Sequence, residues 1–217
     1  MPSIVPPGGE VSWPENEGAL GVVGVAPWAT LDFLSRFYAL LEAAKDWHYP
    51  RVLTDINTKL PSRGRYFELG ETDPSPAIAE TISELCRQGA TVVVVPCNTA
   101  HLLYGRWADN APVPVPNIVT ETIEAARRAG ATRVCPFVST TLAAHDLYGR
   151  TAEQTGLACY RLAPEEQALI AGAIAETKRS GSFEHETREA IVALARRLDH
   201  EGVDAILLGC TELSSLA

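Results

Sequence analysis

Cys97 and Cys210 are the residues whose type and placement could do chemistry. Each closes an apolar run and is followed at once by polar side chains, in PCNTAH at 96–101 and GCTEL at 209–213. A thiol has an ordinary pKa of about 8.5, so near neutral pH it serves as an acid or, once ionised, as a base. Two thiols facing one another could take a proton from one side of a carbon and return one from the other. An unperturbed thiol is only about 3% ionised at pH 7. Such a site therefore needs donors that favour the thiolate, and Asn98, Thr99 and Thr211 begin the segments that would supply them. The other cysteines read differently: Cys86 on an apolar helical face and Cys159 in a strand-like run are small buried hydrophobes. Five cysteines at wide spacing with no CxxC argue against a disulfide framework or a zinc ribbon and fit reduced thiols in the cytosol. Cys97 and His101 have the i, i+4 spacing of a metal pair, but no third or fourth ligand lies near, so no metal is expected.

The elements that must position the two thiols form an internal repeat. QGATVVVVPCNTA (88–100) lies over EGVDAILLGCTEL (201–213) without a gap, and Gly89 and Gly202, like Cys97 and Cys210, stand 113 residues apart. Strand-like runs alternate with helical ones throughout. GALGVVGVA (18–26), RVLTDIN (51–57) and TVVVVP (91–96) read as strands of the first half, and TRVCPFV (132–138), LACYRL (157–162) and VDAILLG (203–209) as strands of the second. Helices are expected from Pro27 to Lys45, over 77–88, 118–130 and 141–155, from Pro164 to Arg179, and over 183–200. The first of these places Leu31, Phe33, Leu34, Phe37, Leu40 and Leu41 at helical spacing. Residues 58–76 read as a long loop and NAPVPVPN at 110–117 as a hinge or linker.

This grammar specifies an α/β fold: two pseudo-symmetric lobes, each with a mainly parallel sheet flanked by helices. The expected divisions are a disordered tail at 1–17, a first lobe at 18–112, a second at 113–209 and an end segment at the cleft, 210–217. Ligands of open parallel sheets bind at the carboxyl ends of the strands, so Cys97 and Cys210 are expected to meet in the cleft between the lobes.

Composition narrows the partners. The 217 residues carry a net charge of −9, with a pI near 5.1. That balance argues against nucleic acid and against an anionic membrane surface, both of which need clustered Lys and Arg. A small anionic substrate remains compatible, because one local arginine outweighs a diffuse negative field. No stretch of about twenty apolar residues exists to span a membrane. Residues 1–18 lack the basic start and apolar stretch of a secretory signal.

The paired motifs PCNTAH and GCTEL resemble the signatures of the aspartate/glutamate racemase family, and GCTE is more similar to the aspartate racemase branch. LGVVGVAPWAT (20–30) is similar to the family's amino-terminal glycine loop and PSR (61–63) to its Pro-Asp-Arg loop. The similarity runs from about Leu20 to Leu216. It implies racemisation without pyridoxal phosphate or another cofactor: one thiolate removes the α-proton of an acidic amino acid while the opposite thiol protonates the other face. It further implies that Asn98, Thr99 and Thr211 hold the substrate's α-carboxylate or amino group. Arg63 matches the loop arginine that pairs with a substrate carboxylate, and Lys178 lies where the aspartate racemase branch has a carboxylate-binding lysine. Ser139 stands where the family often has Thr. Glu212 is expected to tune Cys210 or hold its loop; a carboxylate beside a thiol raises the thiol's pKa unless it is turned away. A cytoplasmic homodimer acting on a small dicarboxylic amino acid is the corresponding expectation.

The chain departs from the family pattern in three places. Gly24-Val25-Ala26-Pro27 is shorter and poorer in glycine than Gly-Gly-Met-Gly-Pro, Ser62 replaces the usual Asp, and the sequence stops shortly after GCTEL, where the family continues with a further helix.

Other readings are weaker. None of Lys45, Lys59 and Lys178 sits in a pyridoxal-phosphate motif, and GVVGVAP lacks GxGxxG. Hydantoin racemases and maleate isomerases of the same superfamily keep both cysteines, but a neutral hydantoin ring would make Arg63 and Lys178 dispensable. Arylmalonate decarboxylases keep only one cysteine. A two-lobed small-molecule binding protein would need the cleft but not the thiol pair.

Overall fold

The computed structural model describes residues 18–216; the expected tail at 1–17 lies outside them. In chain order the elements are β1 (Ala19–Gly24), α1 (Pro27–Ala39), β2 (Val52–Ile56), α2 (Arg63–Leu69), α3 (Ser75–Arg87), β3 (Ala90–Val94), α4 (Tyr104–Ala108), α5 (Ile118–Arg128), β4 (Arg133–Phe137), α6 (Thr140–His145), α7 (Leu147–Gln154), β5 (Ala158–Cys159), α8 (Pro164–Ser180), α9 (His185–His200) and β6 (Ala205–Leu208). Short 3-10 turns occupy Asp46–His48, Asn98–Leu103 and Thr211–Leu216.

The strands form two three-stranded sheets, ordered β2-β1-β3 and β5-β4-β6. Every pairing is parallel. Each half thus places its first strand centrally, and the expected α/β architecture with two parallel sheets is what the chain adopts. The central strands need cover on both faces, which is why β1 reads as an unbroken apolar run and is buried along its whole length. Val23, Val93 and Val95 pack with Ile78, Ile82 and Leu85 of α3 and Trp107 of α4. In the second half α8 and α9 supply Ile170, Ile174, Ile191 and Leu198 to one core, while Ile123 of α5 and Ala152 of α7 join another with Val134 and Leu207. Truncating a fully buried residue such as Ile78 should cost about 2–5 kcal/mol.

Five expectations need correction. The first helix ends at Ala39 rather than Lys45, and its apolar positions are not core: Leu31 is half exposed and Leu40, just beyond the helix, is 83% exposed. The segment 58–76 is not one long loop, because Arg63–Leu69 is helical. Ser62 caps it by accepting from the Arg65 N–H at 3.3 Å, and Gly70 ends it in the left-handed region at φ 67°. The helix at 141–155 is broken at Asp146, whose φ is 48°, and the strand at 157–162 shrinks to Ala158–Cys159. The prolyl segment 110–117 is tied down: Pro114 O accepts from Val93 N at 3.0 Å and Val115 O from the Tyr104 hydroxyl at 2.5 Å.

Candidate active site

β3 and β6 both end just short of a cysteine, and both continue into a 3-10 turn with the same 113-residue offset, Asn98–Leu103 and Thr211–Leu216. The strands therefore deliver the two thiols to equivalent positions, at the carboxyl ends of their sheets. A cleft of about 340 Å³ opens there, and both Cys97 and Cys210 line it. The walls also include Ala26, the segment Ser139–Thr141 after β4, the face of α2 that carries Arg63, Arg65 and Glu68, and Ala171, Ile174, Ala175 and Lys178 of α8. All nine residues singled out in the sequence, Arg63, Cys97, Asn98, Thr99, Ser139, Lys178, Cys210, Thr211 and Glu212, line this one cleft.

The surroundings of the two thiols differ. Cys97 is partly exposed. Behind it, His101 Nδ1 meets the Cys97 carbonyl at 2.9 Å, and the imidazole packs against Tyr104 and Trp107. Burial pushes the His101 pKa down to about 4, so it is a neutral strut in the working range. Among the described residues no cluster of His, Cys, Asp and Glu could hold a metal.

Cys210 is 6% exposed, and its thiol donates to Glu212 Oε2 at 2.9 Å. Burial first, and the Glu212 carboxylate second, raise its pKa well above the ordinary thiol value, while Lys178 pulls in the opposite direction. Glu212 is turned onto the thiol, so Cys210 rests protonated at neutral pH.

The cations have a common feature. Arg63 donates to two backbone carbonyls, Pro61 O and Val25 O, both at 3.2 Å, and its buried Nε has no partner among the described residues. No carboxylate pairs with Arg63 or Lys178 among the described residues. Arg65, by contrast, is paired with Glu71. Two positive charges without anionic partners among the described residues face a cleft lined by two thiols.

Sequence reasoning missed the groups that bridge the lobes. Thr141 donates to Glu68 Oε1 at 2.5 Å, Tyr148 donates to Asn98 Oδ1 at 2.6 Å, and Phe67 packs on His145 with ring centroids 4.7 Å apart. The Thr99–Ser139 hydroxyl pair, at 3.3 Å, joins residues that were each singled out, but not as partners. Such pairs span 40–78 residues of sequence and leave no local pattern.

A family model described as Asp/Glu/Hydantoin racemase matches residues 21–217. Among solved structures, the chain is similar to an aspartate racemase from Picrophilus torridus, with a TM-score of 0.80 and 21% identity over 92% of this chain and 84% of that one. It is also similar to an aspartate racemase homologue from Pyrococcus horikoshii OT3, with a TM-score of 0.73 and 21% identity over 92% and 88% of the two chains. A glutamate racemase from Bacillus anthracis matches with a TM-score of 0.62 and 14% identity over 92% of this chain and 70% of that one. At these identities the structural likeness speaks for the fold.

Proposed function

The chain belongs to the Asp/Glu/Hydantoin racemase family, and from that premise we propose that this amino-acid racemase interconverts the enantiomers of an acidic amino acid, aspartate or glutamate, without a cofactor. Cys97 and Cys210 are the acid–base pair. In one direction the Cys97 thiolate takes the α-proton, and the Cys210 thiol gives its own proton to the opposite face. In the reverse direction Cys210 must first be ionised, and Glu212 Oε2 is the group within reach of its proton. Asn98, Thr99 and Thr211 hold the α-carboxylate or amino group, with Ser139 supporting Thr99. Arg63 and Lys178 take the side-chain carboxylate.

The observation that carries this reading is the meeting, in one cleft, of two thiols and two cations that have no carboxylate partner among the described residues. A dicarboxylic amino acid supplies the missing negative charge, and its α-carbon needs a proton donor on each face. The test is incubation with each enantiomer of aspartate and of glutamate in deuterium oxide, followed by chiral separation and mass measurement. Inversion with one deuterium at the α-position is expected for both enantiomers of aspartate or for both enantiomers of glutamate. Absence of both inversion and exchange with every one of the four would overturn the reading.

We further propose a cytoplasmic homodimer, formed through the apolar surface of α1 and the segments after it. Trp28, Leu31, Tyr38, Leu40, Trp47 and Ile56 are exposed on these elements. Light scattering should give twice the chain mass, and Leu31→Glu should halve it; a monomer at tens of micromolar parent chain would refute the dimer.

A further inference from the structure

Tyr148 touches both thiol-bearing turns. It belongs to α7 of the second half, yet its hydroxyl donates to Asn98 Oδ1 at 2.6 Å, beside Cys97 in the first half. Its ring edge fills space beside Cys210 that glycine leaves open: a Cβ at Gly209 would sit 2.8 Å from Tyr148 Cε2 and 2.6 Å from Val138 Cγ1. Tyr148 is 2% exposed and Asn98 3%. This bond lies in the interior, where an unmade hydrogen bond is costly. Burial also pushes the phenol's pKa above its ordinary 10, so it stays a donor throughout the working range.

A carboxamide is planar, with an acceptor on one side and two donors on the other. When Oδ1 is engaged by Tyr148, the Nδ2 hydrogens are what Asn98 has left to offer, and Asn98 lines the cleft. A flipped amide would present Oδ1 to the cleft instead. That oxygen would repel a substrate carboxylate and the enediolate charge that develops as the α-proton leaves.

We infer that Tyr148 is a positioning residue for racemisation: its hydroxyl locks the Asn98 amide with its N–H groups toward the substrate carboxylate, while its ring seats the Gly209–Cys210 turn. This rests on the reading of the cleft as a racemase site. The two thiol turns come from different halves, so one side chain ties their relative placement to the donor that binds between them.

The experiment compares the parent chain, Tyr148→Phe, Asn98→Ala and the double variant. Tyr148→Phe keeps the ring on Gly209 and removes only the hydroxyl. It should lower kcat/KM about tenfold, with a raised KM. In the Asn98→Ala background the same change should have no further effect, because its route of action is gone. An equal loss in both backgrounds, or no loss in the parent, would overturn the proposal. A second readout needs no activity. The Asn98 side-chain amide signals, assigned by their loss in Asn98→Ala, should shift and exchange with solvent faster in Tyr148→Phe. Unchanged amide signals would also overturn it. If the parent chain racemises nothing, the functional reading fails, and the amide signals still decide whether Tyr148 orients Asn98.

Discussion

The two halves share a strand order and place their cysteines at equivalent strand ends, yet they hold their thiols in opposite ways. Position by position, Asn98, Thr99 and His101 of the first turn correspond to Thr211, Glu212 and Ser214 of the second. Where the first half has the hydroxyl of Thr99 bonded across the cleft to Ser139, the second has a carboxylate on its own cysteine. Where the first half braces its cysteine carbonyl with a buried imidazole, the second has Ser214, whose hydroxyl only closes the local turn on Thr211 O at 2.7 Å. The shared backbone places two equivalent groups; the side chains that follow make them inequivalent. A racemase needs both properties. Its substrate's two faces call for the same kind of group, while at any instant one group must be a base and the other an acid.

The largest expected effect comes from removing either thiol. Cys97→Ser or Cys210→Ser should lower racemisation by on the order of 10³-fold or more, since a hydroxyl is far too weak an acid to exchange roles with a thiol. Each variant should still bind a dicarboxylate, and each should retain some α-proton exchange on the face whose thiol remains, without inversion. Parental rates in both variants would break the assignment. Exchange and inversion surviving together in one of them would reduce the site to a single base.

The symmetry was readable in the sequence, and the asymmetry only in part. Strands buried on both faces appear as unbroken apolar runs such as TVVVV, and the repeat aligned the two cysteines directly. Glu212 was visible as a neighbour of Cys210, but neighbours two apart along a chain can point anywhere, and only the turn geometry brings Oε2 to 2.9 Å from the sulfur. Helix α2 was hidden because RGRYFEL is too short for a repeating apolar stripe; it depends on the Ser62 cap and the Gly70 stop. That cap also accounts for a departure from the family pattern, since Ser and Asp are both good N-caps. The helix break at Asp146 was hidden as well. Asp is among the few residues that tolerate positive φ, and the bidentate bond from Arg161 that accompanies it comes from 15 residues away. The apolar face of α1 misled, because periodicity reports a face that needs cover and not what covers it.

His101 makes the first half the acid-sensitive one. Its pKa falls from 6.5 in the unfolded chain to about 4 in the fold, so the folded state binds fewer protons between these values. The contribution to stability is complete above pH 6.5 and lost as pH falls toward 4, on the order of 3 kcal/mol in all. Urea midpoints measured at half-unit steps should drop across that window, and His101→Gln should flatten the drop. A parent chain equally stable at pH 7 and pH 4.5 would show that the imidazole is not held neutral.

The cations sharpen the comparison further. Arg63, in the first half, is fixed by two carbonyls and keeps one unpartnered N–H. Arg63→Ala should weaken binding of the dicarboxylate by about 1.5–3 kcal/mol. Calorimetry at two salt concentrations checks this, and unchanged affinity would reassign Arg63 to scaffolding. Lys178→Ala should cost less binding, because among the described residues no hydrogen bond holds the ammonium in place beforehand. Activity that tolerates both changes would favour a neutral substrate such as a hydantoin.

The smallest effect is the most diagnostic of the second half. Two charges act on Cys210 with opposite sign: Glu212 raises its pKa and Lys178 lowers it. Glu212→Gln removes the first while preserving shape, so the thiol should ionise at lower pH; Lys178→Ala should move it to higher pH. Burial is the larger cause and is untouched by either change, so each shift is a few-fold in alkylation rate at fixed pH rather than a return to an ordinary thiol. The stability consequence has a definite sign. A thiol whose folded pKa is raised holds its proton after the unfolded chain has released one. Its contribution is therefore full below the ordinary thiol range and lost as pH climbs above it. Glu212→Gln should thus soften the alkaline loss of stability as it speeds alkylation. Enantiomers have equal free energies, so kcat/KM must fall by the same factor in both directions, and a ratio of directional kcat/KM values cannot report this asymmetry. The iodoacetamide rate of Cys210 against pH, read in a Cys86→Ala, Cys97→Ala, Cys159→Ala background, reports it directly. Shifts of the same sign in Glu212→Gln and Lys178→Ala would mean that charge does not set the resting state of Cys210.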